Sequence, residues 1–206
     1  MSILFSNEIM DAIVRELNKA TDSVQIITAY CKEKTLKYLD CHINPEIRDK
    51  KLLVRFRLDD ILKGSTDFRI LDFGMNHGWK VYIRFDLHAK TYIVDNKRGI
   101  IGSANVTDSG LNIGKSGNME MAAFVDIESN DIDKIHSLFK DAILINDEIK
   151  SILETQLENI KYDGNVTGFC WNSSIMKLFT PHIETLFSHE LPDEFELKPG
   201  EYFSIF

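Results

Sequence analysis

His88, Lys90, Asp95, Gly102, Ser103 and Asn105 follow one another at the spacing H-x-K-x4-D-x6-G-S-x-N, which combines a nucleophile, a cation and several anion-binding donors. Thr91, Tyr92, Ile93 and Val94, between the lysine and the aspartate, are β-branched or aromatic and favour an extended strand. Alternation along a strand sends side chains two apart to one face, so His88 and Lys90 are expected to point the same way. An ammonium beside an imidazole disfavours the imidazolium, which keeps His88 neutral with a lone pair to attack phosphorus. Lys90 then binds the non-bridging oxygens. Asn96-Lys97-Arg98-Gly99 reads as a turn and Ile100-Ile101 as a short return strand, bringing Ser103 and Asn105 back to the histidine's end. Both are expected to donate hydrogen bonds to an anion, with Gly102 letting backbone approach it closely. The chemistry of such a set is displacement at a phosphodiester.

Taken singly, each of these residues has an ordinary explanation. A lone strand histidine is usually a satisfied core or surface group, Asp95 ahead of Asn96-Lys97 is a turn former, and Ser103 and Asn105 are common loop residues. Their shared register is what changes the reading. Glu120 adds to it, because Met119 to Val125 reads as a buried strand and a carboxylate there needs a hydrogen-bond partner, for which an imidazole N–H is suited.

The pattern is the signature of the phospholipase D superfamily, and over about residues 1–145 the chain resembles that family's small single-motif nucleases and metal-independent restriction endonucleases. The resemblance implies a covalent phosphohistidine on His88, an acidic residue in the place of Glu120 that orients the histidine, and a more structural than chemical role for Asp95. It implies no metal and no cofactor. Gly102, Thr107 and Arg84 are the further residues expected to contact substrate.

The elements that must position these residues follow an α/β rhythm. Ser6-Asn7 caps a first helix carrying Ile9, Ile13, Val14 and Leu17, and residues 23–28 read as a buried strand. Helix at about 33–40, strand at 51–58, helix at 67–77 and strand at 80–84 continue a βαβ pattern, which implies parallel pairing. Gly74 and Gly78 mark a helix-to-strand turn. Residues 106–117, rich in Thr, Ser, Asn and Gly, read as a mobile loop over the site. A strand at 119–126 and helices at about 130–145 and 148–159 complete the unit. The expected fold is an α/β phospholipase D-like sandwich, a mostly parallel central sheet flanked by helices, over residues 1–160. Residues 161–206 are expected to form a C-terminal extension, helical and then acidic and extended. Trp171, Met176, Leu178, Phe179, Ile183, Leu186 and Phe187 recur there at helical spacing, to pack on the domain or to dock a partner.

With 206 residues and 44% hydrophobic content the chain can bury one sizeable core. No apolar run is long enough to cross a bilayer and the N-terminus lacks a signal-peptide pattern, so a soluble cytoplasmic protein without membrane association is expected. Cys31, Cys41 and Cys170 give no disulfide framework and read as reduced thiols, with Cys31 near the site. The net charge of −8 argues superficially against a nucleic-acid partner. Its distribution weakens that objection, because residues 1–110 hold 17 Lys and Arg against 15 Asp and Glu, whereas 111–206 hold 7 against 17. Lys50, Lys51, Arg55, Arg57, Arg69, Arg84, Lys97 and Arg98 offer a basic rim in the motif-bearing half, enough for weak, salt-sensitive binding.

One histidine is not enough. An alkoxide leaving group must be protonated, so the mechanism needs a general acid besides the nucleophile. None of His42, His77, His136, His182 and His189 begins a second H-x-K. A two-fold homodimer through the face carrying His88 supplies the other copy, as the resemblance also implies. The expected function is metal-independent hydrolysis of nucleic acid, most simply a DNA endonuclease of restriction or defence type, with specificity residing in a partner such as a helicase, translocase or specificity subunit. Two alternatives are a lipid phosphodiesterase or phosphatidyltransferase, which would normally carry two motifs or a membrane-binding segment, and a catalytically idle dimeric regulatory module, which would have lost motif residues.

Overall fold

Ser23 to Thr28 is a run of six residues, all buried, and such a run suits a central strand covered on both faces. A computed structural model describes residues 3–114, 117–160 and 170–179. The elements in chain order are β1 (Ile3–Phe5), α1 (Ser6–Leu17), β2 (Ser23–Thr28), α2 (Glu33–Asp40), β3 (Asp49–Arg55), α3 (Leu58–Leu62), α4 (Ile70–Asn76) and β4 (Trp79–Arg84). There follow β5 (Thr91–Val94), β6 (Arg98–Gly102), β7 (Met121–Asp126), α5 (Ser129–Lys140), β8 (Ile143–Leu144), α6 (Asp147–Glu158) and α7 (Ser173–Met176). The strands form one sheet in the order β1-β7-β6-β5-β2-β3-β4-β8. It is a mixed α/β sheet flanked by helices.

The expectation of a mostly parallel sheet is corrected. Among the described residues only β2–β3 and β3–β4 pair in parallel, and the other neighbouring strands are antiparallel. Parallel pairing requires a crossover of a dozen residues or more, whereas six residues, Phe85–Lys90, join β4 to β5. The chain must re-enter the sheet at the edge it has just left, and β5 therefore runs antiparallel to β2. To reach that place the connection passes the ends of β3 and β2, three strand spacings or roughly 14 Å. Six residues span at most ~20 Å, so this connection has little slack.

Alternation sorts the core into two layers. Ile26, Leu52, Val81 and Tyr92 face the larger cluster with Ile9 and Ile13 of α1 and Leu36 of α2. Ile27, Leu53 and Ile93 face a smaller one with Phe139 of α5. The β4–β5 connection is anchored in both, by Phe85 in the first and Leu87 in the second. Asp86 and His88 between and after these anchors are exposed.

Several boundaries differ from expectation. The strand expected at 51–58 ends at Arg55, and Leu58 already opens α3. The helix expected to reach 145 stops at Lys140, and Ile143–Leu144 adds an edge strand, its apolar pair too short to reveal a period. β1 was not expected for the same reason. Ser6 does not cap α1 from outside; it lies within the first turn, and its Oγ accepts a 2.6 Å bond from the Glu120 backbone. The segment read as a mobile loop is anchored at its start: Val106 and Leu111 are fully buried, Val106 bridges to Cys31, and Asp108 accepts 2.7 Å and 3.1 Å bonds from Thr35 and Lys34. Trp171 stacks on Phe56 and donates a 2.6 Å bond to its carbonyl, and Phe179 meets Phe85 edge-on, so these aromatics pack on the core. Ile183, Leu186, Phe187 and the acidic tail lie outside the described residues.

Candidate active site

The topology brings the motif to one edge of the sheet. β2, β3 and β4 end on it, at Thr28, Arg55 and Arg84. β5 starts there at Thr91 opposite Ile27, β6 returns to it at Gly102, and β7 leaves from it at Met121. His88, Lys90, Ser103, Asn105 and Glu120 flank these strand ends and share the edge. Asp95, at the far end of β5, is on the opposite one.

Lys90 is buried and its Nζ donates a 2.7 Å bond to the His88 carbonyl, folding the lysine back on its own turn. Two ammonium protons remain for an anion. Partial burial, followed by the positive charges of Lys90, Arg55 and Arg57, holds the His88 pKa below its ordinary value of 6.5. The expected sense of the shift, toward a neutral imidazole, is the sense found, with burial the larger cause. Burial also lowers the Lys90 pKa, as does Arg55, while Glu120 opposes them.

Asn105 is fixed as a donor. Its Oδ1 accepts a 3.0 Å bond from the Tyr30 N–H, which leaves the amide nitrogen without an acceptor among the described residues. Tyr92 Oη holds the preceding carbonyl of Ala104 at 3.0 Å. Ser103 differs from expectation, because its hydroxyl donates a short hydrogen bond to Glu120 and accepts one of 3.1 Å from the Met121 N–H. Its proton is therefore committed. Glu120 takes its second bond from Asn118 Nδ2 at 3.2 Å and, among the described residues, makes none to His88. In the single chain this carboxylate organises the Ser103 turn rather than the imidazole. Gly102 is required by packing against β7: a Cβ there would lie 2.4 Å from the Met121 carbonyl and 2.5 Å from the Ala122 Cβ.

Arg84, expected to contact substrate, is held within the fold. It is buried, with both Nε and Nη2 bonded at 2.9 Å to Asp86 and Nη1 bonded at 3.0 Å to the Leu138 carbonyl. Thr107 uses its hydroxyl to accept a 3.0 Å bond from Gly110, closing a turn beside a cleft of about 470 Å³ lined also by Lys32, Lys34 and Asp108. Cys31 is buried next to Tyr30, and burial pushes its thiol well above the ordinary range, leaving it unreactive.

Asp95 caps the start of β2. Both oxygens accept from the Thr21 N–H at 3.1 Å, and Oδ1 accepts from Asp22 and Ser23 at 2.8 and 3.0 Å. Burial alone would raise its pKa, but bonds from Ser23, Asp22 and Thr21 outweigh it and hold the carboxyl below 3.8. Asp95 and Asn96 both have positive φ, 54° and 50°, at the centre of the three-residue β5–β6 connection, where the Lys97 N–H donates a 3.0 Å bond to the Val94 carbonyl. Asp95→Asn is expected to lower unfolding stability by about 1 kcal/mol, measured by denaturant titration. The loss is complete above pH 3.8 and closes as pH falls through the lower folded pKa, since the wild-type bonds are then also lost. A gap that persists in acid overturns this role.

The motif pattern missed a second group at the same edge. Arg55 pairs with Asp60 at 2.8 and 3.1 Å and donates a 2.7 Å bond to Tyr30 Oη, the same tyrosine whose backbone fixes Asn105. Arg55-x-Arg57, two residues apart at the carboxyl end of a predicted parallel strand, was the available signal.

A family profile described as "cardiolipin synthase, PLD-like domain" matches residues 13–143. Among solved structures, Nuc, a phospholipase D family member from Salmonella typhimurium, superposes with a TM-score of 0.56 at 14% identity, over 70% of this chain and 98% of its own. Phosphatidylserine synthase from Haemophilus influenzae Rd KW20 gives 0.55 at 12% identity, over 76% of this chain and 42% of its own. NucT from Helicobacter pylori gives 0.47 at 14% identity, over 70% of this chain and 98% of its own. No curated protein matches by sequence. The profile takes in well over half of the 206 residues and holds the whole H-x-K-x4-D-x6-G-S-x-N edge, so the chain belongs to the phospholipase D-like family.

Proposed function

We propose that the chain is a metal-independent phosphodiesterase that hydrolyses nucleic acid, a DNA endonuclease of restriction or defence type whose active site is completed by a second copy. The observation that carries this reading is the convergence of an exposed His88 with two anchored donors, Lys90 and Asn105, each with unspent protons, on one sheet edge. A His88 nitrogen attacks phosphorus and the bond to the leaving oxygen breaks. His88 of the second copy, protonated, gives that oxygen its proton. Lys90 and Asn105 hold the non-bridging oxygens as charge develops on them. Water, deprotonated by the second histidine, then releases the phosphohistidine.

Self-association is supported by a row of exposed apolar side chains. Phe5 lies opposite Met121, and Ile3 opposite Ala123, whose other neighbour is Ile101. Ile3, Phe5, Ile101 and Met121 are all exposed, beside the edge that carries the motif. The fold itself does not separate a nuclease from a lipid transferase. The single motif favours the nuclease, and among the described residues no helix is long and apolar enough to cross a membrane. Delivery by a helicase, translocase or specificity subunit accords with the acidic second half of the chain.

The test is incubation of purified protein with plasmid and with single-stranded DNA in EDTA. Cleavage is expected to persist, because the edge supplies an imidazole, an ammonium and an amide, and among the described residues no group of three or more His, Cys, Asp or Glu is placed to hold a metal. Cleavage abolished by EDTA and restored by Mg²⁺ overturns the mechanism. Hydrolysis of phosphatidyl substrates without any cut in DNA overturns the substrate class.

A further inference from the structure

Three arginines approach the motif edge, and their burial and hydrogen bonds separate them. Arg55 is buried, with Nε and Nη2 bonded to Asp60 and Tyr30 and only Nη1 without an acceptor among the described residues. Arg84 is spent on Asp86 and Leu138. Arg57 is different: it is exposed, its Nε donates a short hydrogen bond to the Phe85 carbonyl, and both terminal nitrogens lack an acceptor among the described residues. Phe85 is the buried first residue of the taut connection that carries His88. A guanidinium anchored by one nitrogen loses less rotamer freedom on binding than a free one, and its two remaining nitrogens present the fork that matches a phosphate.

We propose that Arg57 binds a second phosphate, next to the scissile one, on a polyanionic strand lying across the sheet edge. The proposal rests on the nucleic-acid reading and deepens it, since it assigns the protein a substrate with at least two successive phosphates. The Arg57 charge is felt at His88 and also at Asp86, which places it within electrostatic reach of the reacting group without making it part of the displacement. Contacts of this kind set the register of a strand and carry no sequence information. This agrees with a chain that leaves sequence choice to a partner.

Two substrates test it. One is an oligonucleotide, and the other is bis(p-nitrophenyl) phosphate, which has a single phosphate and nothing for Arg57 to hold. Arg57→Gln is expected to raise KM about tenfold or more for the oligonucleotide, several times more than for the small diester. The slope of log kcat/KM against log salt for the oligonucleotide is expected to flatten by about one unit. Arg57→Lys, which keeps the charge but not the fork, should recover the salt slope, and circular-dichroism melting checks that each variant folds. Equal losses on both substrates, or an unchanged salt slope, would show that Arg57 only props the loop through Phe85 and would overturn the proposal. A wild-type protein that turns over the small diester but neither binds nor cuts the oligonucleotide overturns the nucleic-acid reading, and the second phosphate with it.

Discussion

His88→Ala and Lys90→Ala are each expected to reduce turnover by about 10³-fold or more while leaving the melting temperature close to that of the wild type. His88 is exposed, and its connection is held by Phe85 and Leu87 in the two cores, so losing the imidazole removes the proposed nucleophile without opening a cavity. Lys90 is less simple, since its Nζ also secures the His88 carbonyl. Lys90→Met keeps the buried stem and isolates the charge. Because the Lys90 ammonium helps to depress the His88 pKa, this variant should also move the acid limb of kcat/KM to higher pH, toward the ordinary 6.5. The sign follows directly: a depressed pKa keeps the attacking imidazole neutral further into acid, and losing a cause of the depression gives that range back. His88→Ala retaining a tenth of wild-type activity would remove it as nucleophile.

That His88, Lys90 and Asn105 share one sheet edge was legible in the sequence because their spacing encodes topology. His88 and Lys90 sit immediately before a β-branched run and Asn105 shortly after the return strand, and a hairpin brings such positions together whatever surrounds them. Asp95 was legible as a turn former, and the four backbone and hydroxyl donors of Thr21, Asp22 and Ser23 show why a carboxylate is needed there. What escaped were choices between partners. Ser103 and Glu120 are 17 positions apart, and no local rule says that the carboxylate takes the serine proton. Arg55, Arg57 and Arg84 look alike in sequence, and only the fold shows that Arg55 and Arg84 are buried in pairs with Asp60 and Asp86 whereas Arg57 is exposed with both terminal nitrogens to spare. The mixed sheet escaped for a different reason: the βαβ rhythm through β4 is real, but it was extended past a connection too short to cross over.

Equal mixing of wild-type and His88→Ala chains should leave about a quarter of the wild-type activity once subunits have exchanged. The chain carries one H-x-K, and the displacement needs a neutral histidine to attack and a protonated one to donate. If two copies face each other, a heterodimer has one histidine for both tasks and is nearly dead, so only the quarter of randomly paired dimers that are wholly wild-type contribute. The same pairing gives a bell-shaped pH dependence whose limbs belong to the coupled pair rather than to either residue. Dilution should abolish activity as dimers part, since the exposed row formed by Ile3, Phe5, Ile101 and Met121 would then return to water. Subunit exchange can be followed with a charge-tagged variant and must be complete before activity is read. Activity near one half after full exchange would mean that each chain works alone, and the acid would then have to come from a group within a single copy.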